Sequence, residues 1–391
     1  MIYLIVPNNF FQVCLESRLF SVVCSLLYSM QNRVTTASAY EEVDEEKFRN
    51  DYKIESTAGD AIGSKFSAIS LKYYDDPFLK VMFETQARSL VKKSPIINRG
   101  YYTRVNVVET IVKKFLEVTS SHSKVQIISL GAGFDTLAYR LLSASTSTSN
   151  GRLTYFEVDF PTTIDKKTAI TMKKPILTKL VPAAASEPDS RVPVAPLTQA
   201  QKYKTATGYK FGSLVLLPSD LRETESLRTT LLTSGADPTV PTLILTECVL
   251  VYMQRAPAEA LLSTMSSTFA SSVWVSYDMV SPDDPFGRTM IQNLTCAGHK
   301  VPGLLDYPSV DAQCGRYTAA GFESTQSCTM LQAYEGLVSA ADKARLNRLE
   351  MLDELEEWSL IMSHYSLSVA AKGGLYADVI NCVPSSRKIV N

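Results

Sequence analysis

Between residues 60 and 117 apolar side chains recur at three- and four-residue spacings, as in Phe78, Val81, Met82 and again Val107, Val108, Ile111, Val112, Phe115, which predicts a helical region. Asp76-Pro77 has the chemistry of a helix start, an acceptor side chain followed by a residue without an N–H to waste. Asn98-Arg99-Gly100 is expected to break the pattern. The period then changes. Residues 124–130 form a short apolar run ending in Gly131-Ala132-Gly133, which reads as a strand buried on both faces and running into a glycine turn.

Further strands are expected at 153–158, 213–217, 242–246 and 273–277, each ending in or near an acidic residue and most separated by helix-length segments. Two antiparallel candidates, 322–330 and 364–370, flank a charged amphipathic helix expected over about 341–361. The alternation predicts an α/β fold with a doubly wound, mostly parallel, seven-stranded sheet. A Ser/Thr-rich stretch at 143–151 and a segment at 173–212 with prolines at 175, 182, 188, 193 and 196 read as surface excursions. The expected organisation is therefore a flexible N-terminal extension over 1–59 and one catalytic-type domain over 60–391, with a helical cap at 60–120 and an insertion at 173–212.

Composition narrows the chemistry. Of 391 residues 45% are hydrophobic, enough for a large core, and 39 Lys and Arg against 40 Asp and Glu leave a net charge of -1, so no global field attracts nucleic acid or an acidic membrane. Seven cysteines without a C-x-x-C pair argue for a reducing, cytoplasmic compartment over a disulfide framework or zinc ribbon. With three histidines, His122, His299 and His364, none paired at metal-ligand spacing, the chemistry is expected to need neither metal nor imidazole. Residues 1–30 are apolar but carry Glu16 and Arg18, which leaves a signal or anchor, or a true start at Met30, as the readings of that stretch.

The informative stretch is Gly131-Ala132-Gly133-Phe134-Asp135-Thr136, because the carboxyl end of the first strand is where open α/β sheets bind nucleotides. Asp159 lies 26 residues after Gly133 at the tip of the next strand, where a carboxylate can accept from two ribose hydroxyls; Glu157 is its competitor. A dinucleotide site wants a third glycine where Thr136 stands, and Asp135 before it would repel pyrophosphate. S-adenosylmethionine has no phosphate and carries a sulfonium and an ammonium, so an acidic turn suits it. Asp220 and Leu221 at the third tip can serve adenine, the carboxylate toward the exocyclic amine and the leucine against the ring. Glu247 at the fourth tip would stand near the amino group of the methionine moiety or the reacting centre.

Five segments carry a resemblance to a known family: Asn98 through Val105, Ser129 through Thr136, Tyr155-Phe156-Glu157-Val158-Asp159-Phe160-Pro161, Asp220-Leu221-Arg222, and Thr246-Glu247-Cys248-Val249-Leu250-Val251-Tyr252-Met253. Over about 65–374 the chain resembles the leucine carboxyl methyltransferases, which methylate the C-terminal leucine of the catalytic subunit of type 2A protein phosphatases. The resemblance implies a Rossmann-like class I fold dependent on S-adenosylmethionine. It also implies that Lys65 and Arg104 hold the donor's carboxylate, Gly131 lies against its backbone, Asp159 takes the ribose, Asp220 and Leu221 the adenine, and Glu247 the amino group. Tyr252, with Arg99 or Tyr101 in the cap, would shape the acceptor pocket. A monomer acting on a phosphatase tail is expected, without metal, nucleic acid or membrane. The competing readings are a small-molecule or tRNA-modifying carboxyl methyltransferase with the same donor motifs, and a protein that binds the phosphatase tail without transfer.

Overall fold

The structure, a computed structural model, describes residues 42–84, 91–145, 151–179 and 204–385. The apolar stretch 1–30 and most of the proline-rich insertion lie outside the described residues. Helices α1 (Glu42–Ser70), α2 (Pro77–Met82) and α3 (Pro95–Val118) precede β1 (Val125–Leu130), α4 (Leu137–Ser145), β2 (Leu153–Asp159) and α5 (Pro161–Lys173). The later strands are β3 (Tyr209–Phe211), β4 (Leu214–Pro218), β5 (Thr242–Glu247), β6 (Ser272–Met279), β7 (Ser324–Thr329) and β8 (Tyr365–Lys372). They form one sheet in the order β3-β4-β2-β1-β5-β6-β8-β7.

The five strands from β4 to β6 in that order pair in parallel, and β8 runs antiparallel between β6 and β7. Every residue of β1 and β6 is buried, because helices cover both faces, which explains the unbroken apolar runs that mark them in sequence. One face packs against α1, α3 and α4, with Phe115, Tyr139 and Tyr155 in its core; the other holds Phe156, Leu261, Phe269 and Trp274. The seven expected strands are all present within two residues of their expected ends. The sheet has an eighth, β3, antiparallel to β4 at the edge and inside the segment read as an insertion. Three residues are too few to show a period in the sequence.

Three other expectations are corrected by tertiary contacts. Asn98-Arg99-Gly100 does not break the helix: α3 runs through it, because Ser67 donates to Asn98 Oδ1 at 2.8 Å and Asn98 Nδ2 donates to Glu350 at 2.9 Å. The single helix expected over 341–361 is two, Ala340–Leu349 and Leu355–Ser363, with a separate Met330–Leu337 before them. Glu350 ends the first of the two in an extended conformation, its carboxylate taken by Tyr73, Lys92 and Asn98. The boundary expected at Asp60 falls inside α1, which packs along α3 as one continuous helix.

Asp76-Pro77 does start a helix. Asp76 accepts from the N–H groups of Phe78 and Leu79 at 3.1 and 3.0 Å, and its second oxygen takes Thr136 and, at 2.7 Å, Arg140. This buried carboxylate therefore ties the cap to the segment just after the glycine turn.

Candidate active site

β1 has β2 on one side and β5 on the other, so the connections leave in opposite directions and a crevice opens at the carboxyl ends of these strands. Gly131 sits at its floor. Its φ is +66° and a Cβ there would lie 2.5 Å from Val249 Cγ2, so conformation and space both exclude a side chain. The Gly133 N–H donates to Asp159 Oδ2 at 2.7 Å and the Phe160 N–H to Oδ1 at 2.7 Å, so Asp159 braces the turn. Burial pushes the Asp159 carboxyl above its ordinary pKa, and these two N–H groups oppose the shift. Each of its oxygens retains lone-pair capacity toward the crevice.

A single pocket is lined by Lys65, Arg104, Gly131, Asp159, Asp220, Leu221, Glu247 and Tyr252, eight of the residues expected from the sequence. Glu157, the competitor of Asp159, does not reach it. It lies beneath the turn, 1% exposed, 2.6 Å from the Lys167 ammonium, which also donates to the Asp135 carbonyl at 2.7 Å. Burial raises the Glu157 carboxyl to about 7 despite Lys167.

Two ion pairs face the pocket at the tips of β1 and β5. Lys65 Nζ lies 2.6 Å from Asp135 Oδ1. Burial disfavours the Asp135 carboxylate, but Lys65 and Arg140 outweigh it and hold its pKa well below the usual range. Arg104 Nε donates to Glu247 Oε2 at 2.5 Å, and its guanidinium lies 4.7 Å from the Tyr277 ring centroid and 5.9 Å from that of Tyr101. Burial alone would lower the Arg104 pKa, but Glu247 keeps it above the ordinary value. Among the described residues Glu247 is the one hydrogen-bond partner of this guanidinium, so its terminal nitrogens remain for a ligand carboxylate.

At the β4 end Asp220 is held by Arg222, whose Nε and Nη2 reach its two oxygens at 2.8 and 2.6 Å. Back at the β5 end, the turn after the strand adds Cys248, in a left-handed conformation at φ 55°, and the 3-10 turn Leu250–Tyr252. Burial raises the Cys248 thiol above its ordinary pKa.

Two site features depart from expectation. Arg99 does not line the pocket; it is buried against the C-terminal side, its Nη1 on Asn347 at 2.9 Å, and Tyr101 backs Arg104 instead of facing the cavity. Conversely, Ile54, Ala58, Ala61 and Ile62 of α1 roof the pocket beside Lys65. The spacing of these residues is that of one helix face, a signal present in the sequence across the boundary drawn at residue 60. Among the described residues no group of three or more His, Cys, Asp or Glu side chains could hold a metal ion, and no helix is long and apolar enough to cross a membrane.

Known proteins resemble the chain over most of its length. A family model described as Leucine carboxyl methyltransferase matches residues 33–266. Leucine carboxyl methyltransferase 1 of Aspergillus fumigatus is 36% identical over 84% of this chain and 85% of its own, and the Arabidopsis thaliana homolog is 32% identical over 83% and 91%. The rat tRNA wybutosine-synthesizing protein 4 is 31% identical over 85% of this chain but 46% of its own length.

Proposed function

Because this chain belongs to the leucine carboxyl methyltransferase family, we propose that it transfers the methyl group of S-adenosylmethionine to the α-carboxylate of the C-terminal leucine of a type 2A protein phosphatase catalytic subunit. The observation that carries the reading is the single pocket that brings together eight of the expected residues, with a cation and anion pair at one end and Asp220 at the other.

A methionine moiety is a zwitterion. Arg104 and Glu247, already paired, offer terminal guanidinium nitrogens to its carboxylate and a carboxylate oxygen to its ammonium, and Lys65 adds a second cation. Asp159 faces the ribose hydroxyls while bracing the turn, and Asp220 with Leu221 faces adenine. The lack of side chain at Gly131 lets the donor lie close to the backbone.

The acceptor carboxylate, with a reference pKa of about 3.5, is ionised at neutral pH and needs no general base. One of its oxygens attacks the sulfonium methyl in line; the C–S bond breaks with its electron pair going to sulfur, leaving a methyl ester and S-adenosylhomocysteine. The protein contributes alignment and exclusion of water, effects that reach roughly 7 to 11 kcal/mol in well-oriented systems. Tyr252, buried at the pocket wall, shapes the place where the leucine carboxylate enters. The five described cysteines are free thiols, which supports a reducing, cytoplasmic setting.

The similarity to the wybutosine-synthesizing protein favours a second reading, carboxyl methylation in tRNA modification. One experiment separates the two. The protein is incubated with methyl-labelled donor and the phosphatase catalytic subunit, the same subunit lacking its terminal leucine, or tRNA. Base-labile label is expected in the leucine-ended subunit alone. Equal labelling of both subunits, or labelling of tRNA, overturns the proposal.

A further inference from the structure

Arg222 belongs to a sequence motif whose other two members, Asp220 and Leu221, the donor reading absorbs; its own role is unassigned. Its guanidinium makes two forks at once. Nε and Nη2 take Asp220 at 2.8 and 2.6 Å, and Nη1 and Nη2 take the two oxygens of Asp51 at 2.8 and 2.8 Å. Its backbone N–H donates to Asp220 Oδ1 at 3.0 Å, and its guanidinium lies 5.6 Å from the ring centroid of Phe160, the residue after Asp159.

Asp51 is one turn before Ile54 on α1, the helix that roofs the pocket. One planar cation thus joins the roof, the β4 tip and the β2 tip. The hydrogen bonds to both carboxylates hold the Arg222 pKa above its ordinary value, so the cation is permanent at any physiological pH.

We infer that Arg222 is a positioning residue for donor binding: it orients Asp220 toward adenine and latches the N-terminal half of α1 over the adenosine end of the pocket. The inference rests on the reading that adenine lies at Asp220. Its effect is on donor affinity, because the latch touches nothing at the sulfonium or the acceptor. Lysine cannot replace it, since one ammonium cannot fork to two carboxylates.

The test is calorimetric titration of the full chain with S-adenosylhomocysteine and with 5′-methylthioadenosine, which lacks the amino-acid end. Arg222→Gln is expected to raise both dissociation constants about 10-fold and Asp51→Asn about 3-fold, with Arg222→Lys no better than Gln and the rate at saturating donor unchanged. The double variant Asp51→Asn/Arg222→Gln should be no weaker than Arg222→Gln alone, because both act through one latch. A merely structural arginine would also lower the rate at saturating donor, which the latch leaves unchanged. Asp51→Asn, at a partly exposed side chain, keeps the test valid should Arg222→Gln fold poorly. Affinity unchanged in both single variants overturns the latch; so do multiplicative effects in the double variant, or a loss confined to S-adenosylhomocysteine. Asp220→Ala runs beside them. Weakening by Asp220→Ala with none by Arg222→Gln sinks the latch and leaves the donor reading standing. No weakening by either, with loss in Arg104→Ala, removes adenine from Asp220 and the latch with it.

Discussion

The two ends of the pocket are built from the same chemistry at different depths. At the end formed by β1 and β5 the paired side chains are 8 to 15% exposed, Arg104 with Glu247 and Lys65 with Asp135, and aromatic rings wall in the arginine. At the β4 end Arg222, Asp220 and Asp51 are 20 to 25% exposed. Charges that are poorly hydrated interact strongly, and removal of one partner leaves the other without compensation; charges nearer water are screened and individually worth less. The deep end should therefore carry affinity and the shallower end should act through geometry.

The largest effect that tests this contrast is at Arg104. Arg104→Ala removes the terminal donors and strands Glu247, and S-adenosylhomocysteine affinity is expected to fall by about 100-fold or more in calorimetry, well beyond the loss in Arg222→Gln. A loss smaller than that of Arg222→Gln would invert the contrast. Next is the floor between the two ends. Gly131→Ala places a Cβ against Val249 at a positive φ, and stability in urea unfolding is expected to drop by about 2 kcal/mol. Adding Val249→Ala should recover only the steric part of that loss, since the backbone strain remains.

Below the floor, Glu157 titrates near 7 because it is buried, so the folded state holds a proton there that the unfolded chain releases near 4.5. Its contribution to stability is present below about 4.5 and is lost as pH rises through about 7. The melting temperature of the parent protein relative to Glu157→Gln should accordingly fall between pH 5 and 8, and a constant difference would place the titration elsewhere. The smallest effect concerns salt. Raising ionic strength from about 0.1 to 1 M shortens the screening length from about 10 to 3 Å, and is expected to weaken 5′-methylthioadenosine binding about twofold in the parent but not in Arg222→Gln. Equal salt dependence in both would show that the exposed triad is not the screened element.

Much of this was legible in the chain before any contact was known. Continuous apolar runs ending in Gly131, Asp159, Asp220 and Glu247 identify buried parallel strands with polar tips, and such tips converge in any doubly wound sheet. What local pattern misjudged lies where distant residues act. Asn98-Arg99-Gly100 stays helical because Ser67 and Glu350 complete its hydrogen bonds. The helix expected to run past Glu350 stops because Tyr73, Lys92 and Asn98 draw that carboxylate away. The roof of the pocket was split at residue 60, although Ile54, Ala58, Ala61, Ile62 and Lys65 share a helix face, because an acidic, polar flank masked the period.

The sequence by itself determined the order of strands along the chain, the glycine turn and the residue types at each tip, since periodicity and the stereochemistry of glycine act over a few neighbouring residues. Only the tertiary structure decided which charge meets which: that Lys65 lies on Asp135, Arg104 on Glu247 between two rings, and Arg222 between Asp220 and Asp51. The partners in the first two pairs are 70 and 143 residues apart and Arg222 and Asp51 are 171 apart. Over such separations a charge carries no information about its partner until packing fixes the distance and removes the water between them.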